Sequence, residues 1–112
     1  MFVYKIFRAH EFQAFEEAGR SDGAPIDLED GYIHLSTSDQ VPGTLEKHFD
    51  SETGLRLLAI EERRLGRALK WEPSRGGSLF PHLYRTLKAR DVAWSAHIPY
   101  YNGRHLVPTA PG

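Results

Sequence analysis

The stretch DGYIHLST at residues 30–37 decides the fold, because it joins a turn, a strand and the start of a helix. Successive side chains of a strand point to opposite faces, so Ile33 and Leu35 point one way and Tyr32, His34 and Ser36 the other. The first face is apolar and predicts a buried side. The second face therefore presents His34 and Ser36 together, just before a helix begins.

On the N-terminal side of this stretch, residues 20–31 are rich in Asp, Gly and Pro and show no periodicity, which predicts a loop. Before that loop, apolar residues recur at helical spacing over His10–Ala18, with Gly19 as the stop signal. The apolar and aromatic segment Phe2–Phe7 predicts a strand. The chain is therefore expected to open with a strand followed by a helix.

On the C-terminal side, hydroxyl residues at 36–38 and Pro42 predict the start of a second helix, which ends near Asp50. Most strands come later. We predict them at residues 55–60, 68–72, 82–87, 91–98 and 104–107, with a helical turn at 62–66. Pro73 is expected to end the strand over 68–72. Two main helices in the first half followed by most of the strands indicate an α+β fold with mixed or antiparallel sheets.

Composition limits the possible functions. The 112 residues suit one compact domain spanning 1–112, and the absence of Cys excludes disulfides, thiol catalysis and Cys-ligated zinc. His10 and Glu11 begin like a zinc-protease HExxH motif, but position 14 is Ala, so no metal is expected. No export signal or membrane-length apolar run is found, which predicts a cytoplasmic protein without membrane contact.

Charge is divided unevenly along the chain. Residues 1–56 contain five basic and eleven acidic side chains, whereas residues 57–112 contain nine basic and four acidic ones. This asymmetry fits either mutual neutralisation across the fold or an anionic ligand that faces the second half. The net charge of −1 argues against binding to duplex nucleic acid, which needs many clustered Lys and Arg.

His34 is the first candidate for chemistry, because it lies mid-strand beside Ser36 and a helix start. A neutral imidazole there can orient a ribose hydroxyl or accept a proton. The alternative, a core histidine hydrogen-bonded to a neighbouring strand, stays open at this point.

A second candidate cluster lies in WEPSRGGSLFPHLY at residues 71–84. Two glycines allow a close backbone approach to a ligand, and Arg75 can clamp a phosphate. Glu72 can bind sugar hydroxyls, Tyr84 can stack on a planar ring, and His82 is a further candidate for ligand binding. A glycine turn with a solvated Arg is the competing interpretation.

These motifs also resemble a known family. Over nearly its whole length, the chain resembles the small bacterial domain-of-unknown-function 952 family. The similarity lies in five motifs: YKI at 4–6, DGYIHLST at 30–37, HF at 48–49, WE at 71–72 and FPHLY at 80–84. The resemblance implies an ADP-ribosyltransferase-like fold, with a more distant similarity to RNA 2′-phosphotransferases. It further implies that His34 and Ser36 line an NAD-type cleft, with Arg75 and Tyr84 on its opposite wall. Lys5 occupies the strand-one position where ADP-ribosyltransferases carry a ribose-contacting histidine.

Two classes of function follow from this resemblance. In the first, the chain is a transferase or glycohydrolase that uses NAD or a related nucleotide. His34 and Glu72 would be its catalytic residues, with Glu72 stabilising the oxocarbenium or activating the acceptor, and Arg75 with Lys5 would hold phosphate. In the second, the same cleft binds a small phosphorylated nucleotide or metabolite without turnover.

Overall fold

The computed structural model describes residues 1–74 and 76–112, and it has the expected α+β class with antiparallel sheets. Its helices are α1 (Ala9–Ala18), α2 (Pro25–Asp30), α3 (Val41–His48) and α4 (Glu62–Leu65). The two longest, α1 and α3, both lie in the first half of the chain, as predicted. None of the helices in the described ranges has the length and apolarity that crossing a membrane requires.

The strands fall into two larger sheets and two short ribbons. They are β1 (Phe2–Phe7), β2 (Arg20–Ser21), β3 (Ile33–His34), β4 (Arg56–Glu61), β5 (Leu69–Ser74), β6 (Ser78–Leu83), β7 (Leu87–Lys88), β8 (Val92–His97), β9 (Tyr100–Tyr101) and β10 (Arg104–His105). One sheet has the order β1-β4-β8 and the other β3-β6-β5, while β2 pairs with β7 and β9 with β10.

An isolated bridge joins the two larger sheets. The backbone N–H of Tyr4 donates to the carbonyl of Ser36 at 2.7 Å, and the Ser36 N–H donates to the Tyr4 carbonyl at 2.9 Å. This seam places β1 beside the segment that contains β3. The His34 segment therefore lies next to Lys5 on β1.

Two apolar clusters cover both faces of the β1-β4-β8 sheet, and one of them also packs on the other larger sheet. Val3 and Phe7 of β1 pack in one cluster with Ile33, Leu35 and Leu83 of the other sheet. These positions confirm the predicted alternation over residues 32–36, in which the apolar members are buried. The opposite face of the β3-β6-β5 sheet is left for polar and aromatic side chains.

The prediction of a loop over residues 20–31 is wrong, because the segment contains β2 and α2. Pro25 starts α2, where its missing N–H costs nothing, and Gly31 ends the helix with a φ of 87°. The Asp27 carboxylate accepts the Ala24 N–H at 2.8 Å and so stabilises the first turn. The helix has six residues, too few to show a hydrophobic period.

Two prolines, Pro73 and Pro81, lie inside strands rather than at their ends. Pro73 does not end β5, which continues to Ser74, because β5 is an edge strand paired only with β6. Pro81 lies within β6, opposite Trp71, and its carbonyl accepts the Leu35 N–H at 3.0 Å. The strand predicted at 82–87 is therefore the end of β6 followed by β7.

Candidate functional site

A cleft of about 580 Å³ opens beside the seam between the two larger sheets. Its walls come from β1, α2, β3, α3, the end of β5 and β6. This volume falls within the range of about 300–1,000 Å³ that is typical of small-molecule sites. Of the residues predicted for the site, Lys5, Ser36, His34 and His82 line the cleft together.

A buried ion pair forms the floor of one end of the cleft. Lys5 Nζ donates to Asp27 Oδ2 at 2.6 Å and to the carbonyl of His34 at 3.2 Å. Lys5 is 5% exposed and Asp27 only 1%. The Lys5 charge is therefore neutralised within the protein, which leaves it poorly placed to hold a ligand phosphate.

The Asp27 carboxylate is saturated with donors. Its Oδ1 accepts the His34 backbone N–H at 3.0 Å and lies 2.6 Å from His34 Nδ1. Burial opposes ionisation, but the hydrogen bonds from His34 and the charge of Lys5 outweigh it and lower the pKa of Asp27 to about 2. An ionised carboxylate only accepts hydrogen bonds, so His34 Nδ1 is the donor in this contact.

The second ring nitrogen of His34 also lies near a carboxylate. His34 Nε2 is 3.0 Å from Oδ2 of Asp30, the last residue of α2. The contact lacks hydrogen-bond alignment, and the two side chains are 34% and 38% exposed. Asp30 therefore does not commit Nε2 in the way that Asp27 commits Nδ1.

A second group of polar side chains lies on the outer face of the β3-β6-β5 sheet. His82 on β6 faces His34 directly across the strands, and the two rings are 5.5 Å apart in an edge arrangement. His82 Nδ1 lies 2.8 Å from Glu72 Oε1 on β5, and Tyr84 Oη donates to the same oxygen at 2.7 Å. Tyr84, Glu72 and His82 thus form a hydrogen-bonded chain that ends at the cleft.

The pKa values in this chain shift together. Hydrogen bonds from Tyr84 and His82 lower the pKa of Glu72, because they stabilise its carboxylate. The same Glu72 carboxylate raises the pKa of Tyr84 to about 12, because the neutral phenol is the form that can donate to it. Glu72 is therefore an acceptor, and His82 Nδ1 carries the proton between them.

Tyr32 connects the two histidine groups. Its ring stacks on His82 with centroids 4.2 Å apart and planes at 29°, and it lies 4.7 Å from His34 and 5.2 Å from Tyr84. Such packing holds both imidazoles in fixed orientations. The aromatic rings also form an apolar wall beside polar groups, which is typical of sites that bind planar ligands.

Basic side chains also line the cleft. Lys47 and His48 of α3 line it together with Arg8. Arg8 is paired with Glu52 at 2.8 Å. Lys47 is exposed and has no ion-pair partner among residues 1–74 and 76–112.

The remaining predicted site residues take different positions. Glu72 and Tyr84 reach the cleft through His82 rather than by lining it. Ser36 Oγ lies 2.9 Å from Thr44 Oγ1 in the cleft floor. Arg75 lies outside the described residues, although its neighbour Ser74 lines the cleft. No group of three or more potential metal ligands occurs in the described part of the chain.

Sequence reasoning missed four residues that shape the cleft: Asp27, Asp30, Tyr32 and Lys47. Pro25 at a first helical position, followed by an acidic residue in the first turn, was an available signal for α2 and for the placement of Asp27. Tyr32 was placed on the face of His34, but no role was assigned to it. Nothing in the local pattern marks Lys47.

Comparisons with known proteins agree with this architecture. The family model described as "Protein of unknown function (DUF952)" matches residues 6–95. The crystal structure of protein CC0527 from Caulobacter crescentus is 42% identical, with 95% of this chain and 94% of that chain covered and a TM-score of 0.89. The solution NMR structure of CC0527 is 43% identical over 92% and 90% of the two chains, with a TM-score of 0.82. Among curated proteins, none matches the sequence.

Proposed function

The chain belongs to the DUF952 family of proteins of unknown function, and we propose that its cleft binds NAD or a related phosphorylated nucleotide and acts on it as a transferase or glycohydrolase. The proposal includes a likeness of the fold to ADP-ribosyltransferases. The observation that carries it is the pairing of two carboxylate-held histidines, His34 and His82, inside one open cleft of about 580 Å³. Histidines held in this way are typical of sites that bind or transfer protons.

The groups that line the cleft suit such a ligand. At the seam end, carboxylate oxygens of Asp30 and the Nε2 atom of His34 can exchange hydrogen bonds with ribose hydroxyls. Tyr32 and Phe80 offer apolar surface to a planar base or pyridinium ring. Lys47 supplies a positive charge for phosphate. Lys5 is not part of this phosphate site, because Asp27 neutralises it.

The test is binding followed by turnover. NAD, NADP and ADP-ribose are titrated into the purified protein by calorimetry, and ligand at about 100 times its Kd stabilises the fold by about 2.7 kcal/mol, which raises the Tm. Lys47→Gln is expected to weaken binding about tenfold, since it removes one phosphate contact of about 1.4 kcal/mol. Lys88→Gln on β7, outside the cleft, is the matched control and should bind normally. Equal affinities of the two variants, or no binding of any of the three ligands, would contradict the proposal.

Turnover is measured as nicotinamide release by chromatography and mass spectrometry. The hydrogen bond that commits His34 Nδ1 to Asp27 and the neutralisation of Lys5 favour a second candidate, a noncatalytic module that binds the same class of ligand. The two candidates differ in one result. An enzyme releases nicotinamide and loses this activity on His34→Ala, whereas a module binds ligand and releases none.

A further inference from the structure

His82 differs from His34 in having one ring nitrogen without a protein partner. Its Nδ1 is bonded to Glu72, while its Nε2 has no hydrogen bond to any residue within 1–74 or 76–112. The ring lines the cleft and is held on its flat side by Tyr32. The orientation of His82 is thus fixed by its neighbours, and its second nitrogen is left for a ligand.

The protonation of this ring follows from its partner. Glu72 also accepts the Tyr84 hydroxyl, so the carboxylate is ionised and the His82 proton lies on Nδ1. A neutral imidazole with its proton on Nδ1 has its lone pair on Nε2. His34 differs in having a carboxylate beside each ring nitrogen, since Nδ1 donates to Asp27 and Nε2 lies 3.0 Å from Asp30.

We propose that His82 is the proton acceptor of the cleft, with Glu72 as the positioning residue that keeps the His82 Nε2 lone pair directed at the ligand. Tyr84 orients Glu72 in turn. This proposal deepens the proposed function and rests on it for the identity of the substrate. It assigns proton transfer to His82, and it makes Glu72 a group that acts through His82 rather than on the sugar.

For NAD with water as acceptor, the step is balanced without any further reactant. The water oxygen bonds to ribose C1′, and its proton passes to His82 Nε2. The bond between C1′ and the nicotinamide nitrogen breaks, and its electron pair stays with nicotinamide, which leaves neutral. The products are ADP-ribose and nicotinamide, and His82 later gives its proton to solvent.

The first test reads the tautomer of His82 in the ligand-free protein. Long-range proton–nitrogen NMR correlations on nitrogen-15 histidine-labelled protein are assigned by the signals missing in His82→Gln. At a pH where the ring is neutral, we expect the Nδ1–H tautomer in the wild type. Glu72→Gln should mix the two tautomers, because an amide can either donate or accept, whereas Glu16→Gln on the exposed face of α1 should not. An Nε2–H tautomer in the wild type would overturn the proposal.

The second test separates kcat from KM in nicotinamide release. His82→Gln should lower kcat by about 100-fold or more, the scale of general base catalysis, with little change in KM. Glu72→Gln should lower kcat by about tenfold through its effect on His82. His97→Gln, an exposed histidine on β8, is the control and should keep wild-type rates. Wild-type turnover in His82→Gln would refute the assignment even if NAD is the substrate.

Failure of the His82 proposal and failure of the proposed function give different experimental results. If none of the three nucleotides binds but His82 has its proton on Nδ1 and responds to Glu72→Gln, the proposed function is wrong and His82 stands as the proton acceptor for another ligand. If the nucleotides bind and His82 carries its proton on Nε2, the function stands and the assignment of His82 is wrong.

Discussion

His34 and His82 lie opposite each other on β3 and β6, yet their surroundings differ. The His34 side chain is 34% exposed and has a carboxylate beside each nitrogen, Asp27 at Nδ1 and Asp30 at Nε2. The His82 side chain is 5% exposed and is held at one nitrogen by Glu72. The more accessible imidazole therefore has the more acidic surroundings. Solvent exposure alone does not identify a histidine that can exchange protons, whereas the partners of its two nitrogens do.

The groups around His34 and those around His82 also differ in what they contribute to the stability of the fold. Removal of the Asp27 carboxylate tests this difference most strongly. Asp27→Asn leaves the buried Lys5 ammonium without a counter-charge, and we expect a loss of about 3–5 kcal/mol in the free energy of unfolding. Urea denaturation measures this loss. Lys5→Met combined with Asp27→Asn removes the unpaired charge and should recover part of it.

The matched control is Asp30→Asn, which removes the partly exposed partner of His34 Nε2 and should cost less than about 1 kcal/mol. If Asp27→Asn costs no more than Asp30→Asn, the buried pair does not anchor the His34 side of the cleft. The surroundings of His34 and His82 would then differ in hydrogen-bond geometry alone and not in their contribution to stability.

A second, smaller effect is the loss of stability in acid that originates from Asp27. The folded-state pKa of Asp27 is about 2, below its ordinary value of 3.8, so its contribution is fully present above pH 3.8 and is lost as the pH falls through 2. The shift corresponds to about 2 kcal/mol. Denaturation curves between these pH values should show this decline in the wild type. Asp27→Asn should lack this component, and an equal acid slope in both proteins would contradict it.

The smallest expected effect concerns the His82 side and involves no large change in stability. Glu72 raises the pKa of Tyr84 to about 12. Glu72→Gln should return the Tyr84 pKa towards 10, because the carboxylate that opposes the phenolate is gone. Phenolate absorbance measures the titration, and a Tyr84→Phe reference identifies the transition. An unchanged Tyr84 transition in Glu72→Gln would show that the chain from Tyr84 to His82 is not formed in solution.

Much of the fold could be predicted from local patterns. The alternation over 32–36 correctly placed Ile33 and Leu35 inside, and the pattern over 91–98 correctly separated buried Ala96 and Ile98 from exposed His97. These predictions are confirmed because a segment that packs only one face on an apolar cluster shows a period of two. The helices α1 and α3 are long enough to show helical spacing, and both were expected.

The parts that sequence reasoning missed depend on contacts between distant residues. The α2 helix is short, and it is tied down by the contact of Asp27 with Lys5, which is 22 positions away. No local pattern reports that an acidic residue in one segment will meet a lysine in another. The same limit applies to Lys5, which was predicted to hold phosphate, because no local pattern reveals its buried partner Asp27. The role of Glu72 and its link to His82 likewise depend on the register of β5 and β6.

The seam between Tyr4 and Ser36 has a mechanical consequence for the cleft. Six residue pairs join β1 to β4, whereas a single backbone bridge with two hydrogen bonds joins β1 to the His34 segment. Two such bonds contribute about 1–3 kcal/mol in total. The Lys5–Asp27 ion pair and the packing of Val3 and Phe7 on Ile33 and Leu35 cross the same line, so the spacing of the two cleft walls depends mostly on side chains rather than on backbone pairing.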